Sequence, residues 1–441
     1  MMLLVKSEDP PQNAVMQKLK SVNLRTEIVA GITTFFTMAY IVIVNPTILS
    51  TPGTGMPFSG VLAATVLICF LMTLLMGIYA DLPFAVAPGM GINAFFTYTV
   101  ILGQKVPWQV ALGIVFWAGV LFVITSLASI RLAIAKAIPQ GIRSAAAAGI
   151  GIFLTFIGLK NAGFLTAHPA TFITVGTFDH KTVLALVGLG LCLWLMHRKN
   201  PLAFLIGIFS VTAVGWLLGY EKAPPELFSK PDFSGVFLKL DILGALKLSL
   251  LPTIIAIFFT DLFDSISTFV GVSQATGLIE KGQPKNLKEG LLVDALATMG
   301  AGLAGTSAGT AYIESAAGIE AGGRTGWTSV VTAFCFLPCL FLAPLAGMVP
   351  AYATAPVLIL VGALMFKSIG QISLTKIEDA FPAFLTVVLI PLTFSITQGI
   401  LWGFISHVFL YVMTGRRKEI HPLMYPIALI SIGLVALEQL R

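Results

Sequence analysis

The sequence predicts an all-α integral membrane protein whose 14 transmembrane spans form two halves of seven in inverted orientation. Three observations lead there. The composition is too apolar for a soluble surface, hydrophobic segments of spanning length recur along the chain, and the third segment of each half is interrupted at a matched position.

Of the 441 residues, 57% are hydrophobic and 10% are charged, whereas soluble domains carry about 25% charged residues. Mean hydropathy is +0.94. Runs of about 20 apolar residues are long enough to cross a bilayer. In the first half they fall near 25–46, 59–79, 84–101, 107–127, 140–159, 181–197 and 201–220. In the second they fall near 246–272, 288–304, 309–322, 326–348, 353–368, 379–395 and 396–413. The apolar run at residues 1–5 is too short for a signal-peptide core and is followed at once by acids and prolines. The first span is therefore expected to be retained. With the N-terminus inside (Lys6, Lys18, Lys20, Arg25), alternation puts four basic clusters in the cytoplasm. They are Arg131/Lys136/Arg143, His197/Arg198/Lys199, Lys281/Lys285/Lys288 and Arg416/Arg417/Lys418, as the positive-inside bias requires. Those loops account for the net charge of +6 without a nucleic-acid partner. Residues 422–440 are apolar too, and are left open between a further span and an interfacial segment.

Seven spans per half is an odd number, so the second half enters the membrane with opposite orientation, which is the arithmetic of an inverted repeat. Span three opens on Pro88, Gly89 and Gly91 before Asn93, and span ten opens on Gly305, Thr306, Ser307 and Gly309 before Glu314. Extended backbone at membrane depth is tolerable only where it lines a cavity or pairs within the protein. The half-helix that follows each break aims its free N–H groups and positive dipole end at that break. Small residues also serve tight helix packing, but breaks at matched positions in both halves favour a shared binding site.

Asp261, Asp264 and Glu314 lie inside these apolar stretches. A carboxylate at the bilayer midplane costs roughly 2.5–3.5 kcal/mol on insertion scales, and such residues usually mark an ion, proton or substrate path. Helical offsets of three, four and seven put Asp261, Asp264, Ser265 and Thr268 on one face. Two acids one turn apart in low dielectric do not both ionise cheaply, so one is expected to carry a proton. The alternative, in which one acid only holds a neighbouring backbone break, would set Asp264 aside. Asp294 and Glu320 fall nearer the membrane edges and are assigned solvated or interfacial roles, while Lys160 and Lys367 snorkel outward. His407 and the four cysteines (Cys69, Cys192, Cys335, Cys339) read as packing residues. Although Cys335 and Cys339 share a helix face, neither His nor further Cys accompanies them. The chain shows no phosphate-binding loop, metal set or nucleophile motif, so an enzyme has no chemistry to stand on, and no cofactor is expected.

Several strings resemble the AzgA-like purine permeases of the nucleobase–cation symporter-2 family, which also includes bacterial uracil permease. They are Gly91-Ile92-Asn93, Asp261-Leu262-Phe263-Asp264, and the run from Ala311, Tyr312, Ile313, Glu314 and Ser315 to Arg324. The resemblance covers about residues 24–430. It implies short antiparallel strands in spans three and ten that meet near the membrane centre. It also implies a core domain (24–128 and 243–348) working against a gate domain (129–222 and 349–414). The remainder is a cytoplasmic segment (1–23), an extracytoplasmic linker (223–242) and a basic loop with an apolar tail (415–441). Carried over, Asn93, Asp261 and Glu314 would contact the base, Gly91 would let it approach the backbone, and Phe95 or Tyr312 would stack on it. Asp261, Asp264 and Glu314 become the proton-coupling candidates. Uracil permeases place the second polar residue of span eight four positions after the first. Here the acids are three apart with Ser265 in the fourth place, so Asp261 takes the substrate-contacting position.

The function so implied is import of guanine and hypoxanthine, with adenine as a further substrate, by proton symport through the cell membrane. The N-terminus would be cytoplasmic, and the partners would be the nucleobase, the lipid bilayer and, in one reading, a second copy in a homodimer. A purine's N–H edges suit carboxylate acceptors, and an Asn side chain offers both donor and acceptor. Coupling to another cation, an anion carrier of the sulfate-permease type, and a channel or receptor are the competing readings. The acids count against an anion.

Overall fold

The computed structural model describes residues 23–127, 137–221, 226–280 and 283–439. Lys6, Lys18, Lys20, Arg131, Lys136 and Lys281, which carry part of the sidedness expectation, lie outside the described residues. Helices dominate. In chain order they begin with α1 (Leu24–Met38), α2 (Ile41–Leu49), α3 (Phe58–Ile78) and α4 (Met90–Ala94). Helix α4 continues as a π-helix over Phe95–Gly103. Then come α5 (Trp108–Leu127), α6 (Gln140–Asn161), α7 (His180–His197) and α8 (Ala203–Leu217). The second half has α9 (Leu251–Thr276), α10 (Leu287–Ala304), α11 (Ser315–Glu320), α12 (Gly326–Phe336) and α13 (Ala343–Gly347). It ends with α14 (Ala351–Phe366), α15 (Ile377–Thr393), α16 (Ile396–Met413) and α17 (Met424–Gln439). Eight helical segments among the described residues are long and apolar enough to cross a membrane.

Helix α12 packs on α1 and α3, and α10 packs on α3 and α5. A second set joins α6 to α14 and α15, α7 to α8 and α14, and α15 to α16. The α6–α14 pair is close because both sides contribute glycine. A Cβ on Gly151 would stand 2.5 Å from the Gly362 carbonyl oxygen, and one on Gly362 2.4 Å from that of Gly151. Neither contact is sterically tolerable, so this crossing depends on backbone meeting backbone. At one end of the first set Asp81 acts as a staple. Its carboxylate takes Lys285 Nζ at 3.0 Å and the Gly326 N–H at 2.9 Å, tying the end of α3 to the starts of α10 and α12.

Between the halves lies a two-stranded antiparallel ladder. Strand β1 (Val86–Pro88) precedes α4, and its partner (Gly309–Ala311) precedes α11. The register pairs Val86 with Ala311, Ala87 with Thr310 and Pro88 with Gly309. Bonds from Gly89 N–H to the Ala308 carbonyl (2.9 Å) and from Tyr312 N–H to the Ala85 carbonyl (3.0 Å) extend it. Gly305, at φ +99, turns the chain from α10 toward this strand. Elsewhere a hairpin pairs Leu165–His168 with Phe172–Val175 between α6 and α7.

The apolar tail also finds a place. Tyr425, at the start of α17, bonds the Arg417 carbonyl (3.5 Å), while Leu434 and Val435 near its end pack with Leu401 in the second turn of α16. The two helices are therefore antiparallel along most of their length. Leu429, Ile430 and Ile432 project outward as a lipid-facing surface would. Accordingly, single cysteines at Arg417 and at Glu438 should react with a membrane-impermeant maleimide from opposite sides of the membrane. Labelling of both from one side would show that α17 lies in the interface.

Candidate functional site

A short ladder inside an apolar protein leaves backbone groups on both outer edges, and each unpaired buried group is costly. Neighbouring helices supply the partners. On the β1 edge, Val86 N–H donates to Thr73 Oγ1 of α3 at 2.9 Å, and the Thr73 hydroxyl reaches back to the Val86 carbonyl at 3.1 Å. Ala85 N–H donates to Ser315 Oγ at 3.0 Å. On the other edge, Ala311 N–H donates to Asp294 Oδ1 at 2.7 Å, and Thr298 Oγ1 donates to the Gly309 carbonyl at 2.9 Å. Asp294 also accepts from Ser265.

Asp294 corrects an expectation: it is no interfacial residue but is 0% exposed, and it anchors a strand. Its position in α10, four residues before Thr298 and hence on the same helix face, was the available signal. Glu320 is exposed, as expected. Helix α9 packs against both the Gly309–Ala311 strand and α11, which brings the acids of span eight to the break in span ten.

The two aspartates of α9 face different neighbours. Asp261 is 0% exposed and accepts from Thr298 of α10. Asp264 instead lines a cavity with Gly91, Ile92, Ala147, Ile150 and Met365, between α9, the start of α4, α6 and α14. The substrate-contacting position expected for Asp261 is thus turned toward α10, and Asp264 is the charged residue on the cavity wall. Gly91 lines the same cavity, and what approaches it is Ile150: a Cβ on Gly91 would lie 2.4 Å from Ile150 Cγ2.

The other predicted residues are not on this cavity's lining. Glu314 precedes α11 and accepts from Tyr40 Oη at 2.7 Å, and it lies within electrostatic reach of Asp264. Asn93, fully buried, accepts from Ser307 across the two breaks. The Tyr312 hydroxyl donates to the Pro88 carbonyl at 2.5 Å, so its ring spans the two strands, and Phe95 is buried at the start of the π-helix. Sequence reasoning missed Tyr40, Thr73 and Thr298. A single hydroxyl in an apolar helix carries no pattern that separates an anchor from a packing residue.

If Asp294 is a strand anchor, Asp294→Ala leaves the Ala311 N–H and the Ser265 hydroxyl without it, at a cost of about 1–3 kcal/mol per buried group. Asp294→Asn keeps an acceptor for Ala311. Thermal unfolding in detergent should show a clear fall for the alanine variant and a smaller one for asparagine. Equal midpoints for wild type and alanine would remove the anchoring role.

The profile of the Permease family (Xan_ur_permease) matches residues 25–402. The chain is 40% identical to the adenine permease AdeP of Escherichia coli, over 92% of each chain. It is 36% identical to the guanine/hypoxanthine permease PbuO of Bacillus subtilis, over 94% of this chain and 97% of that one. Among solved structures, the transmembrane domain of the cyanobacterial bicarbonate transporter BicA superposes with a TM-score of 0.64 at 19% identity, over 86% of this chain and 97% of that one. That likeness concerns the fold alone. With the family match running from the first helix through the first turns of α16, this chain belongs to the Permease family and is a multi-pass membrane transport protein.

Proposed function

We propose that the chain imports purine nucleobases, guanine and hypoxanthine with adenine as a further substrate, by proton symport across the cell membrane. The observation that carries this reading is the shared cavity of Asp264 and Gly91, in a chain whose relatives are permeases for adenine and for guanine and hypoxanthine. Asp264 accepts N–H groups from the purine edge. The first N–H groups of α4, free as at any helix start, offer donors to its ring nitrogens or carbonyl oxygen. Glu314 is the second proton-coupling carboxylate, and Asp261 stands behind Asp264. Asn93, Phe95 and Tyr312 are assigned to the contact surface once the cavity widens. At ≈ 30 Å³ the cavity holds about one or two waters, so admitting a planar base requires the surrounding helices to part.

The packing of α1, α3, α5, α10 and α12 on one side and of α6–α8 and α14–α16 on the other supports a core domain and a gate domain. Those are residues 24–128 with 243–348, and 129–222 with 349–414. Fourteen spans in a 7+7 inverted repeat is the topology we infer, with α17 added after them. A proton moving inward supplies about 2.3 kcal/mol per 100 mV, roughly 50-fold accumulation of a neutral substrate. An anion carrier shares the fold, but a carboxylate on the cavity wall repels its cargo.

Glu314→Gln and Asp264→Asn should each abolish saturable uptake of radiolabelled hypoxanthine while the protein stays in the membrane. Unlabelled guanine and adenine should compete in the wild type, and uracil should not. A protonophore should collapse accumulation. Uptake that ignores the protonophore and follows sodium would replace the coupling ion, and wild-type uptake by both variants would overturn the site.

A further inference from the structure

We propose that Thr298 is a one-hydrogen switch that ties the protonation state of Asp261 to the backbone of the Gly309–Ala311 strand. Thr298 Oγ1 sits within hydrogen-bonding distance of two oxygens, Asp261 Oδ2 and, at 2.9 Å, the Gly309 carbonyl. A hydroxyl has one hydrogen to give. When Asp261 is ionised, both neighbours are acceptors and one goes without that hydrogen. When Asp261 is neutral, its own O–H donates to Thr298 Oγ1, and the Thr298 hydroxyl is free to donate to Gly309. Protonation of Asp261 therefore completes the strand's outer edge, and deprotonation draws the hydroxyl off it.

The surroundings make that loss felt. Gly89 N–H donates to Ala308 and Tyr312 N–H to Ala85, which leaves the Gly309 carbonyl pointing at α10 rather than at β1. The strand lies tight on that helix: a Cβ on Gly309 would be 3.0 Å from Ala297 Cβ. Two residues on, Asp294 holds the Ala311 N–H at 2.7 Å in either state. The strand thus has one fixed anchor and one that depends on a proton. Immediately beyond it come Tyr312, whose hydroxyl reaches the β1 backbone, and Glu314. The titratable groups facing this cluster are Asp264 on α9, Asp294 on α10, and Tyr312 and Glu314 after the strand. Thr298 touches neither the cavity nor a substrate in this arrangement, so it acts as a positioning residue.

The inference deepens the proposed transport reading, and its test separates the two. Infrared difference spectra of the purified protein, titrated from about pH 5 to pH 9, should show a protonated-carboxyl band that disappears in Asp261→Asn. In Thr298→Val that band should move, because its acceptor is gone, and in Thr298→Ser it should stay. Binding of radiolabelled hypoxanthine should be roughly tenfold tighter at the acid end in wild type and Thr298→Ser. That ratio should shrink several-fold in Thr298→Val, which removes the link while Asp264 and Glu314 still titrate. A band untouched by Thr298→Val, or a wild-type pH dependence of binding in that variant, would overturn the switch. Loss of hypoxanthine and adenine binding by the wild type, with the band and its response to Thr298→Val intact, would sink the substrate assignment and leave the switch standing.

Discussion

Pairing every backbone polar group without water is the constraint on which this architecture turns. A three-residue ladder between Val86–Pro88 and Gly309–Ala311 satisfies only its inner edges. In a soluble protein the outer edges would be hydrated. Here they face apolar helices, and side chains from α3 and α10 take the place of water. Thr73, Asp294 and Thr298 are therefore consequences of breaking two spans at depth. In return the breaks provide helix N-termini inside the protein, where their N–H groups and dipoles have no competing solvent.

That constraint also divides labour among the carboxylates. Burying an acid is costly unless it is neutral or fully bonded. Asp294 meets the requirement through a hydroxyl and a backbone N–H, one on each carboxylate oxygen, and Asp261 takes a hydroxyl donor on Oδ2 at the same α9–α10 seam. Glu314 accepts from Tyr40, on the first half of the chain, and Asp264 is the one of these four acids that lines the cavity. An acid whose partners are all protein groups is tuned by them. An acid on a cavity wall is tuned by what enters. The arrangement therefore places the exchangeable contact at Asp264 and the structural ones behind it.

Much of this was legible in the sequence because membrane insertion imposes strong regularities. Apolar length pointed to helices, of which eight described segments reach spanning length where fourteen spans were expected, and the Gly/Pro breaks fall beside the two strands. The acids identified α9 as the helix facing them. What spacing did not decide was which acid faces which way. At 3.6 residues per turn, Asp264 sits about 60° to one side of Asp261 and Ser265 about 40° to the other. A stripe that broad touches two neighbours at once, and only packing against α10 assigns Asp261 and Ser265 to it. Asp294 was misplaced for a different reason. Its proximity to the polar stretch around Lys285 and Lys288 suggested a membrane edge, whereas its partner Ala311 lies 17 positions further on, across a turn that hydropathy does not show. The apolar tail was ambiguous because length alone does not distinguish crossing from lying flat. Its antiparallel contact with α16 adds the packing observation that favours crossing.

The smallness of the cavity bears on how such a site works. Gly91 is pressed against Ile150 of α6, and Asp264 faces Met365 and Ala147 across little more than a water's width. Both walls belong to different packing groups, so the cavity grows only if α6 and α14 move relative to α4 and α9. The ladder and its anchors, by contrast, lie wholly within the group built on α3, α9 and α10. A motion that opens the wall need not break any strand hydrogen bond, and the pairing that made two interrupted helices affordable stays intact while substrate is exchanged. Polar bonding holds the acid-bearing group together, whereas mainly apolar contacts close it against its neighbour. Apolar contacts separate without orphaning a buried donor, so the seam along Gly91 and Ile150 yields more easily than the point where the Thr99 hydroxyl donates to the Phe394 carbonyl.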